Sequence, residues 1–90
     1  MASSKLNLEA GWSTSGRVSP AAVVTGTLSN PSTSQWIWYE VKVGAAYPSL
    51  EPKECHPLPP GRSVEITTGA TDLIFVAGND GATAVWRQHA

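Results

Sequence analysis

Gln35-Trp36-Ile37-Trp38-Tyr39-Glu40-Val41-Lys42-Val43 is the stretch that decides the fold. It is rich in aromatic and β-branched residues, as strands are. Side chains alternate along a strand with a period of two, so Ile37, Tyr39, Val41 and Val43 share one face. Trp36, Trp38, Glu40 and Lys42 share the other. The first face is wholly apolar and is expected to look into a core. The second mixes charge with two indoles. A helix would need apolar residues at i, i+3, i+4 and i+7, and no window of the chain supplies that spacing convincingly.

Working outward, the flanking segments are also short and β-like. Before the central stretch, Ala22-Val23-Val24-Thr25-Gly26-Thr27-Leu28 is a strand candidate, and Asn30-Pro31 starts the bend that follows it. After it, Gly44 to Gly61 is a long connection holding Pro48, Pro52, Pro57, Pro59 and Pro60. Proline lacks an amide hydrogen and has a fixed φ, so this density blocks helix interiors and central strands. An ordered, partly polyproline-like crossing is predicted, with Leu50 and Leu58 as pins and Pro60-Gly61 as its closing turn. Arg62-Ser63-Val64-Glu65-Ile66-Thr67 then alternates, with Val64 and Ile66 inward. Asp72-Leu73-Ile74-Phe75-Val76-Ala77 is apolar on both faces, as a central strand should be. Asn79-Asp80-Gly81 reads as a hairpin turn, because these residues tolerate positive φ, and Ala82 to Arg87 as the return strand.

The expected architecture is all-β: a small antiparallel β-sandwich or open barrel of six to seven short strands with no helix. Ninety residues suit one domain, with residues 21–90 as its body. Residues 1–20 have a weaker pattern. They are either first strands or an N-terminal arm that pairs outside the subunit or frays. A chain of this size buries only about 60–68 % of its unfolded surface, so association with a partner or with sister subunits is a natural source of added stability.

Composition narrows the function. Charged residues make up 14 %, below the usual level of about 25 %. Six Lys/Arg face seven Asp/Glu, and the six cations are scattered singly. A nucleic-acid binder normally carries a clustered basic patch, so nucleic acid is not an expected partner. Met1-Ala2-Ser3-Ser4-Lys5 has no apolar run behind it, so no signal peptide is expected, and no apolar run approaches the roughly 20 residues that span a bilayer. The single cysteine, Cys55, has no intrachain disulfide partner, which fits folding in a reducing cytosol.

Candidate chemistry is sparse. Glu54-Cys55-His56 is the one place where three reactive side chains adjoin. One Cys and two His match no zinc spacing, so no metal and no cofactor are expected. Asn79-Asp80-Gly81 lacks the later acidic residue of a calcium loop. Pro31 in Asn30-Pro31-Ser32 disqualifies a glycosylation sequon. The carboxylates sit singly, so no glycosidase pair is indicated. An enzyme is not expected. Trp36, Trp38 and Lys42, with Trp12 from the arm, remain as candidate partner contacts, since aromatics concentrate at interfaces. Two other readings of the indoles stand beside this one: a face covered by the chain's own arm or crossing, or a platform on which sugar rings stack.

The succession of Thr27-Leu28-Ser29-Asn30, an aromatic/Val strand, Leu58-Pro59-Pro60-Gly61-Arg62-Ser63-Val64-Glu65-Ile66, Asp72-Leu73-Ile74-Phe75-Val76-Ala77, then Asn79-Asp80-Gly81 and a closing strand resembles small β-sandwich proteins of tailed-bacteriophage virions, of the capsid decoration (cement) or head-fibre type. The resemblance covers about residues 22–88. It implies a protein that binds the outside of a capsid shell, stabilises the lattice of major capsid protein and performs no chemistry. The implied place is the virion surface, after assembly in the host cytoplasm. The long proline-rich crossing and the four tryptophans depart from that pattern. A carbohydrate-binding or adhesin-type module is the alternative, and an enzyme inhibitor or other small host-directed binder the third reading.

Overall fold

The structure, a computed structural model, describes residues 3–20, 22–44 and 46–89; Met1 and Ala2, at the head of the arm, lie outside them. Eight strands run β1 (Ser3–Asn7), β2 (Arg17–Val18), β3 (Val24–Ser29), β4 (Ile37–Val43), β5 (His56–Leu58), β6 (Ser63–Thr68), β7 (Asp72–Gly78) and β8 (Thr83–Gln88). A 3-10 turn, Pro52–Glu54, precedes β5, and the described residues contain no α-helix. The strands form two four-stranded antiparallel sheets, ordered β1-β8-β3-β6 and β2-β7-β4-β5. This is the sandwich that the alternation predicts, with eight strands where six to seven were expected.

The wiring is specific. Pairs β1–β8, β2–β7, β3–β6 and β4–β5 are those of one long hairpin, bent at the β4–β5 crossing and rolled into two layers. β8–β3 and β7–β4 pairing then closes each sheet. That is the jelly-roll arrangement, which buries its interior faces and leaves few exposed edges. It also corrects the reading of Asn79-Asp80-Gly81. Gly81 does adopt φ 86°, and Ala82 N–H donates to the Asn79 carbonyl at 2.8 Å. The turn, however, passes the chain from one sheet to the other, so β7 and β8 are not hairpin partners.

Residues 3–7 and 17–18 are strands of the subunit itself. β1 lies along β8 and β2 along β7, so this arm pairs within the chain. Its connection is stapled to the β7–β8 turn: Gly78 N–H donates to the Glu9 carbonyl at 3.0 Å, and Leu8 N–H to the Ala82 carbonyl at 2.9 Å. The sequence hid this because Gly and Ser interrupt the apolar alternation over residues 9–16.

Between the sheets lie Leu6, Leu8, Leu28, Ile37, Leu58, Ile66, Ile74, Val76, Ala84 and Trp86. The inward face of β4 begins as expected with Ile37, fully buried, and Tyr39 and Val41 pack against the core at its margin. Val43 is a correction: it is 65 % exposed, because β4 outruns the opposing sheet. Trp86 reaches the core because β3 offers Gly26 beneath it; a Cβ there would overlap the indole. Asn30 is also more than a turn former. Its buried carboxamide donates to the Gln35 carbonyl at 2.7 Å and the Leu58 carbonyl at 3.0 Å, and accepts from Ser32 N–H at 3.1 Å. These bonds tie the β3–β4 turn to β5. Leu58 pins the crossing as predicted, and Pro57 is tolerated because β5 is an edge strand.

Candidate functional site

The outer face of the β2-β7-β4-β5 sheet carries the candidate residues. Ile74 and Val76 face the core, so Phe75 and Ala77, which alternate with them, point outward, yet both are fully buried. What covers Phe75 is the chain itself. Trp12, from the β1–β2 connection, meets it edge-on at 6.3 Å between ring centroids. Tyr47, from the β4–β5 crossing, meets it at 5.7 Å and 87°. Trp12 Nε1–H donates to the Leu50 carbonyl at 2.8 Å, joining the two covering segments. Leu50 is therefore pinned by its backbone; its side chain is 48 % exposed, where the sequence reading had it as a buried pin.

Each predicted contact residue can now be placed. Trp12 is half-buried over Phe75. Lys42 is half-buried and lines a shallow depression with Glu40, Val41, Pro48, Ser49 and Leu50. Trp38 is half-buried, and the Lys53 ammonium lies 5.8 Å from its ring centroid. Trp36 precedes β4 and is 47 % exposed. The structure thus brings Trp12 and Lys42 to one region through Leu50. Trp36 stands at the far end of β4, about 20 Å of strand away from Val43. Tyr47, 47 % exposed, belongs to the same surface and was not singled out from sequence. The available signal was the two-sided apolar β7, which requires an outer cover as well as an inner core.

Beside Trp38 the crossing leaves a hollow of about 360 Å³, walled by Trp38 and Pro52 and rimmed by Glu51, Lys53 and Asn79. Cys55, in the same crossing, is half-buried, and its thiol donates weakly to the Glu51 carbonyl at 3.6 Å. Burial, reinforced by the negative charge of Glu40, pushes this thiol above the ordinary cysteine value. A nucleophilic cysteine needs the opposite shift. His56 stacks on Tyr39 at 5.2 Å and lies 3.8 Å from Glu40, with its side chain largely in solvent.

The outer face of the other sheet is built differently. Thr25 and Thr67 hydroxyls pair at 2.8 Å, Ser29 and Ser63 at 2.9 Å, and Thr27 pairs with His89 Nε2 at 2.8 Å. Glu65 stands 4.0 Å from the other His89 ring nitrogen. A hydroxyl, an imidazole and a carboxylate in line have the order of a nucleophilic relay, but the last gap exceeds hydrogen-bond length and Glu65 is exposed. This is a solvated polar ladder. Among the described residues no three His, Cys, Asp or Glu side chains converge on a metal-sized site, and no helix is long and apolar enough to cross a membrane.

Scans against protein-family models, curated proteins and solved structures return no match for this chain.

Proposed function

We propose that this chain is a structural virion protein that docks on the outer surface of a bacteriophage capsid shell and stabilises it, with the major capsid protein lattice as partner and sister subunits as possible neighbours in the same layer. The observation that carries the reading is the exposure of large apolar side chains at both ends of β4: Val43, Tyr47 and Leu50 at the end where the β4–β5 crossing begins, and Trp36 at the opposite end, each exposed by nearly half or more. Large apolar side chains held this open by a small, sparsely charged subunit mark a contact surface. A jelly roll is also an architecture on which capsid-type and lectin-type surfaces are built, an analogy of fold that lends support to both. Many copies, each burying a modest area on a lattice, gain through multivalency what one copy lacks.

The test is co-sedimentation of the purified chain with tailed-phage capsid shells, comparing wild type with Trp36→Ser. Trp36 is exposed, so the free variant should melt with wild type. Its apparent affinity for shells should fall by about 2 kcal/mol or more if the indole anchors the contact. A chain that stays in the supernatant at every shell ratio would overturn the proposal. A carbohydrate-binding role is the second reading, favoured by the hollow at Trp38.

A further inference from the structure

We infer that the hollow beside Trp38 is a binding site for a neutral pyranose sugar, a function separate from shell docking. Four distant parts of the sequence meet there: Ala10 from the β1–β2 connection, Trp38 from β4, Glu51 to Lys53 from the crossing, and Gly78-Asn79 from the end of β7. The meeting is held in place. Gly78 N–H donates to the Glu9 carbonyl at 3.0 Å, Ala10 N–H donates to Asp80 Oδ1 at 3.1 Å, and Pro52 is the buried residue of its 3-10 turn. Glu51 N–H is bound by Glu54 Oε1 at 3.1 Å, which fixes the backbone of the rim. A site preformed in this way loses little freedom when a ligand enters.

The chemistry of the lining selects the ligand class. Trp38 lines the hollow, and an indole face carries negative charge at its centre, which attracts the polarised C–H bonds of a sugar ring. Glu51 only accepts hydrogen bonds, Lys53 only donates, and the Asn79 carboxamide does both. A polyhydroxylated ring can use all three. One cation and one carboxylate on the rim cancel, so neither an anionic nor a cationic ligand gains from net charge. The volume of about 360 Å³ lies at the small end of ligand sites, sized for one or two rings at the end of a glycan. In the free protein the Lys53 ammonium stands 5.8 Å from the indole centroid. A sugar replaces this weak cation–π contact over the ring and leaves the ammonium at the rim as a donor.

The test titrates isotope-labelled full chain with methyl glucoside, methyl galactoside, methyl mannoside and N-acetylglucosamine, following the tryptophan indole N–H signals by nuclear magnetic resonance. At least one sugar should move the Trp38 signal saturably, with a millimolar dissociation constant, as expected for an open site of this size. Glu51→Ala and Asn79→Ala alter exposed rim residues; each should weaken that sugar by about tenfold or more while the melting temperature stays with wild type. Trp38→Phe, which keeps an aromatic ring in the wall, should weaken it by a smaller factor. Failure of every sugar to shift Trp38 at tens of millimolar overturns the inference. So does a shift that both rim variants leave unchanged, or one confined to charged sugars in a parallel titration with glucuronate and glucosamine. Shell binding is measured separately, so either proposal can fail alone.

Discussion

The two outer faces of this sandwich begin from the same geometry and end as opposites. On the β1-β8-β3-β6 sheet the outward positions of β3 and β6 are Thr25, Thr27, Ser29, Ser63, Glu65 and Thr67, whose hydroxyls pair across strands. That face is polar and exposed enough to stand without a cover, and its hydroxyls find partners in one another and in His89. On the other sheet the outward positions of β7 include Phe75 and Ala77, and two connections fold over them. The difference lies in strand alternation. β3 and β6 alternate apolar with hydroxyl and can serve one core; β7 is apolar on both faces and demands a second. The β1–β2 and β4–β5 connections are long because they are that second layer.

The sharpest way to break this comparison is to remove one outward side chain from each face. Phe75→Ala deletes a fully buried aromatic between Trp12 and Tyr47, and should cost about 3–5 kcal/mol. Small domains have about 5–15 kcal/mol in all, so the variant should melt far below wild type or fail to fold. Thr27→Ala on the opposite face removes one exposed bond to His89 and should stay within about 0.5 kcal/mol. Thermal melts of the pair decide it. Equal melting temperatures would mean that the outer layer contributes no more to folding than the polar ladder does.

A finer cut separates the layer from the sheet beneath it. Trp12→Phe keeps an aromatic edge against Phe75 but loses the Nε1–H bond to the Leu50 carbonyl. One such bond is worth about 0.5–1.5 kcal/mol net. The loss should be local: amide hydrogen exchange should quicken across the crossing, residues 46–55, with β3, β6 and β8 unchanged. Faster exchange in both sheets would show that the cover and the main core unfold as one unit.

Most of the fold was legible in the sequence, and the exceptions share causes. β3, β4, β6, β7 and β8 follow from alternation and punctuation within a residue or two of their observed ends. β2 and β5 are two and three residues long, too short for a period to register. β1 lies in the weakly patterned residues 1–20, and its partner β8 lies some eighty residues away, a pairing that no local pattern encodes. The inward and outward sides of β4 were readable at Ile37 and failed at Val43, because a strand's length beyond the opposing sheet is a tertiary fact. The candidate surface was half legible. Four tryptophans announced themselves, yet they divide among a core (Trp86), two half-covered positions (Trp12, Trp38) and one exposed end (Trp36). What sorts them is the path of the connections, and only the two-sided β7 hinted at that.

The smallest expected effect reports on how closed the outer layer is at its far end. Cys55 lies in the crossing just before β5, half-buried, with its thiol directed at the Glu51 carbonyl. Burial and the Glu40 charge raise its pKa, so at neutral pH the folded chain holds the unreactive thiol form. Alkylation of the native protein should therefore be slower than that of the urea-unfolded chain, and its pH–rate curve should rise later than for a free cysteine. The sign for stability follows by linkage. A raised acidic pKa means that the folded state holds its proton more tightly, so this contribution is present below the unfolded pKa and is lost as pH rises through the folded one. Tyr39, raised by burial and by Glu40, acts in the same direction. Cys55→Ser removes the cysteine part alone: stability at neutral pH should change by less than about 0.5 kcal/mol, and the alkaline decline should be shallower than in wild type. Native alkylation as fast as in the unfolded chain, with an early pH–rate curve, would mean that the layer stands open at Cys55, and that Glu54-Cys55-His56 presents a reactive thiolate after all.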